Sequence, residues 1–119
     1  MFLFYINVPL NEEGIKEFES YSEKMDHVKT YELFSSDYAL LRKSGGLFDS
    51  FDKELGTIID YCEEERIEYD QLDLAIHLVQ KYSKKSICDQ EKKACDLILE
   101  SLKTAKESGT FWEIDIMLE

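Results

Sequence analysis

Both ends of the chain are written with a period of two. Near the carboxyl end Trp112, Ile114, Ile116 and Leu118 alternate with Glu113 and Asp115, and at the start Phe2, Phe4, Ile6 and Val8 alternate with Leu3, Tyr5 and Asn7. Successive side chains of an extended backbone point to opposite faces, so this rhythm commits both ends to β-strands. The first, apolar on both sides, suits a strand buried on both faces. The last reads as half-buried, with its carboxylates turned from the core.

Between them the spacing changes to three and four. Asn11 can cap a helix carrying Ile15, Phe18, Tyr21 and Met25 on one face. Val28 to Phe34 alternates again; Ser35-Ser36-Asp37 supplies turn chemistry, and Tyr38 to Arg42 is expected to return as the partner strand of a hairpin. Phe48, Phe51, Leu55, Ile58, Ile59 and Cys62 predict a helix, with Gly56 as a kink. Asp70 can cap a further helix that buries two faces, Leu72, Ala75, Ile76 and Val79 on one and Leu74, Leu78 and Tyr82 on the other. Asp89 can cap the last, whose stripe is Ala94, Ile98, Leu102 and Ala105 and whose end is Gly109. The expectation is a single α+β domain over residues 1–119. It has a mostly antiparallel sheet of about four strands (amino-terminal strand, central hairpin, carboxy-terminal strand) with about four helices packed on it, on one face.

Composition narrows the function. The 119 residues are 44% hydrophobic, too apolar for disorder, yet the formal net charge is -12. That balance opposes binding to nucleic-acid phosphates or acidic lipid surfaces, both of which need lysine and arginine. The apolar opening meets Pro9 too soon to span a membrane or resemble a secretory signal. Cys62, Cys88 and Cys95 make no CxxC pair, which fits a reducing, cytoplasmic compartment and small core residues.

The charge is not spread evenly. Between Asp49 and Asp73 ten acids face two bases, Lys53 and Arg66. Like charges one turn apart oppose folding, so such crowding suggests use, although charge runs ordinarily form a solvated face. A field of this sign attracts basic proteins and speeds their association. Asp49, Asp52, Asp60, Glu63, Glu64, Glu68 and Asp70 are the candidate partner-binding acids, with Tyr61 supplying apolar contact.

Other chemistries lack their signatures. Neither DSFDKELG nor DYCEEERIEYD has the order of a calcium loop, and no Glu-x-x-His pair is present, so no metal or cofactor is expected. Asp73 and His77 are one turn apart and can pair, but no nucleophile or oxyanion device accompanies them; His27 reads as a turn residue. No enzyme is expected.

The stretch SGGLFDSFDKELGTIIDYCEEERI, a small-residue turn leading into an aromatic-rich amphipathic helix with an acidic end, resembles the middle of small acidic immunity proteins of bacterial polymorphic toxin and contact-dependent growth inhibition systems. The resemblance implies a cytoplasmic antidote that binds a basic cognate toxin domain, often a nuclease, and occludes its active site or holds an exosite. The alternative is an acidic adaptor or structural domain that homodimerises through a sheet edge, its charge serving solubility.

Overall fold

The computed structural model describes residues 2–59, 64–85 and 87–118. The terminal alternations form strands β1 (Phe2–Pro9) and β4 (Trp112–Leu118). They lie side by side and antiparallel, Ile6 opposite Ile114. Strand β2 (Val28–Phe34) pairs with the other edge of β1, and the short β3 (Glu65–Ile67) with the other edge of β4. The result is an antiparallel sheet in the order β2-β1-β4-β3, and with its helices an α+β fold.

Besides the first helix, which stops at Glu19 short of Tyr21 and Met25, two assignments differ from the sequence expectation. Tyr38–Arg42 is no strand but part of helix α2 (Ser35–Arg42), which follows β2 without a loop. Asp37 occupies its first turn, where a carboxylate complements the helix dipole, and its buried residues Tyr38 and Leu41 are three apart. An apolar run as short as Tyr38 to Leu41 fits either period. Second, the helix expected to reach Cys62 is α3 (Leu47–Leu55), ended by Gly56 at φ 73°, where a side chain would be strained. The fourth strand is therefore β3, within the acidic stretch, rather than half of a central hairpin.

Helix α4 (Leu72–Ser83) follows a 3₁₀ turn at Tyr69–Gln71, so Gln71 rather than Asp70 precedes its first turn. Helix α5 (Asp89–Ser108) starts one residue before its expected interior, with Cys88 at the cap position, and ends at Gly109, φ 70°.

The pleat sorts the sheet into two faces. Phe4, Ile6 and Val8 of β1, Tyr31 and Leu33 of β2, Ile67 of β3 and Trp112 and Ile114 of β4 are all buried in the core with α2 to α5. Aromatic rings chain through it: Phe4 stacks on Tyr38 at 4.0 Å, and Phe51 meets Trp112 edge-on at 6.4 Å. The Trp112 indole N–H donates to Ser101 Oγ at 2.8 Å, which satisfies the one polar atom that this ring carries into the core. Glu91, 1% exposed, accepts from the Tyr82 hydroxyl and from Lys43 Nζ at 2.9 Å, so this buried charge is paired. Cys95 is also buried, which pushes its thiol up to about 12 and leaves it inert; Cys88, expected in the core, is exposed.

One helix departs from the single layer. Helix α1 (Glu12–Glu19) carries Phe18 over Phe111 at 5.8 Å, on the opposite side of the sheet from α2 to α5. Asn11 caps it as expected, its Oδ1 accepting from the Gly14 N–H at 2.9 Å. Gly14 is needed for close approach: a Cβ there would stand 2.1 Å from the His27 carbonyl oxygen. His27 is tied down as well, its Nδ1 lying 2.7 Å from Glu17 Oε2, and this hydrogen bond raises the histidine pKa and lowers that of the glutamate.

Candidate functional site

With the apolar side chains on the inner face, the same strands turn Tyr5, Asn7, Arg66, Glu113 and Asp115 outward. The register brings them together: Tyr5 lies opposite Asp115, and Asn7 and Arg66 flank Glu113 from the two neighbouring strands. Glu64, just before β3, joins them. Phe18 and Glu19 at the end of α1, with Tyr21 and Met25 beyond it, form the facing wall. The open groove between them has a volume of about 460 Å³.

Each floor residue is held. Asn7 Nδ2 donates to Asp115 Oδ2 at 2.9 Å while its Oδ1 accepts from Thr30 Oγ1 at 2.8 Å, so the amide cannot turn without losing a partner. The Arg66 guanidinium lies over the Phe111 ring, 3.7 Å from its centroid, and its Nε donates to Glu113 Oε1 at 3.0 Å. Its Nη1 stands 3.8 Å from both Glu19 and Glu68.

One cation does not neutralise four carboxylates. Glu113 is 7% exposed, and burial, reinforced by the neighbouring Asp115 charge, pushes its carboxyl up to about 7 despite Arg66. Burial also raises Asp115, against the pull of its hydrogen bonds to Asn7 and Glu113, and Glu64 adds to the rise. Both carboxyls of this pair on β4 are therefore held above their ordinary range, with burial the leading cause for each.

At the rim Tyr21 adopts φ 54° and is 88% exposed. It occupies the position after the α1 cap that normally takes glycine: its N–H donates to Phe18 O at 3.3 Å and that of Ser22 to Glu17 O at 3.0 Å. A tyrosine in this left-handed conformation costs about 1 kcal/mol, and its largely exposed side chain edges the groove beside the carboxylates.

The acids expected to meet a partner divide. Asp49 and Asp52 are half-buried and engaged by the protein's own cations: Arg42 Nη1 lies 2.7 Å from Asp52 and Lys53 Nζ 3.3 Å from Asp49. Asp52 Oδ1 also accepts from Thr57 Oγ1 at 2.9 Å and the Ile59 N–H at 3.2 Å, while Arg42 donates to Ile59 O at 2.8 Å. These two acids fasten the chain leaving α3, a structural duty that corrects their expected place in an outward field. Asp60, Tyr61 and Glu63 lie outside the described residues. Glu64, Glu68 and Asp70 are exposed; Glu64 lines the groove and Glu68 stands beside Arg66. The possible pair of Asp73 with His77 is not formed, because Asp73 engages Lys106 Nζ at 3.1 Å. His77 instead borders a smaller hollow, of about 320 Å³, with Glu54, Lys81 and Lys85.

Sequence reasoning passed over Tyr5, Asn7, Glu19, Tyr21, Arg66, Glu113 and Asp115 as a group. Its available signals were the one polar residue in the opening apolar run and the two acids on the outer side of the last strand. Among the described residues, no group of three or more histidines, cysteines or acids is placed to hold a metal ion, and no helix is long and apolar enough to cross a membrane. No protein-family model, curated protein or solved structure matches the chain.

Proposed function

We propose that the chain is a non-enzymatic binding protein of the immunity type, which captures a basic protein domain such as a toxin nuclease and neutralises it by covering cationic surface. The observation that carries this reading is the outer-face groove, where four carboxylates surround one arginine between tyrosine and phenylalanine walls. Surface aromatics beside a charged patch combine the two contributions that interfaces need: apolar anchoring and electrostatic steering. The net charge of -12 extends that field over the whole molecule and accelerates encounter with a basic partner.

The test pairs the chain with the product of the gene beside its own. Co-expression should protect a host from that product, and the purified proteins should form a complex. Because Glu19 and Glu64 are exposed at the groove, Glu19→Lys with Glu64→Lys should slow association about 10-fold or more at low salt and flatten its salt dependence. Absence of protection and of a complex would refute the reading, and an unchanged association rate would move the interface elsewhere.

A further inference from the structure

Resting on the reading of the chain as a binder of basic proteins, we propose that the outer-face groove is an arginine-anchor site, which receives one guanidinium side chain of the partner between its aromatic wall and its floor carboxylates.

The protein's own Arg66 shows how the groove treats this chemistry. Its planar head lies on Phe111 at 3.7 Å and is hydrogen-bonded in plane to Glu113 at 3.0 Å, so stacking and a charge-assisted hydrogen bond act on one guanidinium together. Beside it the same elements recur without a second cation: Asp115 and Glu64 supply carboxylate oxygens, and Phe18 and Tyr21 supply ring surface. The lining carries four carboxyl groups against one guanidinium, and Arg66 leaves the buried pair on β4 incompletely compensated. A second cation supplied by a partner improves that balance. The volume of about 460 Å³ admits a long side chain, its stem along the apolar wall and its head on the floor. Ring faces beside carboxylates favour arginine over lysine, whose ammonium is a more strongly hydrated point charge that cannot stack as a plane.

The probe is a capped Gly-Arg-Gly peptide titrated into the intact protein at neutral pH and low salt, followed by amide chemical shifts, with capped Gly-Lys-Gly as its counterpart. The arginine peptide should give saturable shifts concentrated at Tyr5, Asn7, Glu64 and Asp115 and bind about 5-fold or more tightly than the lysine peptide. Asp115→Asn should weaken it about 10-fold. Glu64→Gln, an exposed change that leaves the sheet intact, should weaken it about 3-fold. Shifts scattered over the acidic surface, equal affinity for the two peptides, or indifference to both substitutions would overturn the anchor. The peptide separates this inference from the broader reading. Protection from a toxin with no localised arginine binding removes the anchor alone, and localised arginine binding without any protection supports the anchor while removing the immunity role.

Discussion

The two faces of the sheet are made by the same strands, one residue apart, and have opposite characters. On the inner face Phe4, Ile6, Ile67, Trp112 and Ile114 are 3% exposed or less and give a continuous apolar layer to the helices. On the outer face Tyr5, Asn7, Arg66 and Asp115 stay partly open and carry charge and hydrogen bonds. Apolar burial is concentrated on one side of the pleat, and charge and side-chain hydrogen bonding on the other. A strand read this way can vary its partner chemistry without disturbing its core, as long as the alternation is kept.

That contrast can be broken most sharply from the inside. Trp112→Ala should destabilise the protein by about 3 to 5 kcal/mol, because it removes the largest buried side chain and opens a cavity against Phe51 and Ser101. Urea unfolding measures this directly, and a loss below about 1 kcal/mol would show that the inner face is not the stabilising one.

Gly14→Ala comes next, at about 1 to 3 kcal/mol, since its Cβ would meet the His27 backbone oxygen, which is held by the Leu10 N–H at 2.8 Å. Its effect should be uneven: α1 would shift, so amide signals of Phe18 and Tyr21 should move while those of Trp112 and Ile114 stay. Uniform change would mean that α1 is coupled to the core rather than to the groove.

The outer face also has a pH signature. The Glu113 carboxyl titrates higher in the folded protein than in the unfolded chain, so between about pH 4.5 and 7 the folded state holds the extra proton. Stability from this group is therefore present in acid and lost as pH rises through that window. The groups facing it are Arg66 from β3, which opposes the rise, and Asp115 from its own strand, with Glu64 acting on Asp115. His27, raised by Glu17, adds a slope of the same sign above its ordinary value, so the measurement is the difference between wild type and Glu113→Gln. Wild type should lose roughly 1 to 3 kcal/mol relative to the variant between pH 5 and 8. Parallel pH profiles would place Glu113 in ordinary solvation.

The smallest effect on stability belongs to the rim. Glu64→Gln should leave the unfolding midpoint within about 0.5 kcal/mol of wild type, because the side chain is exposed. A larger loss would give Glu64 a structural duty like those of Asp49 and Asp52.

Particular residues show what was legible. The alternation through Trp112 and Ile114 and the glycine stop at Gly109 are local facts, and both read correctly. The helix through Phe48, Phe51 and Leu55 is equally local, but Gly56, which the pattern reads as a kink, ends it through its left-handed backbone. Asp49 and Asp52 looked like outward charge because helical projection knows only the helix itself. Arg42, which claims them, comes from a segment that the turn chemistry of Ser35-Ser36-Asp37 suggests as the returning strand of a hairpin.

By itself the sequence determined the two terminal strands, the long helices and the sign of the electrostatic field, since period and charge follow from neighbouring residues and backbone geometry. Only the tertiary structure decided that Arg66 would meet Glu113 across 47 residues and that Asn7 would hold Asp115 across 108. Such pairings come from burying the whole core at once: the inner face fixes the register, and the register then chooses which outer side chains become neighbours.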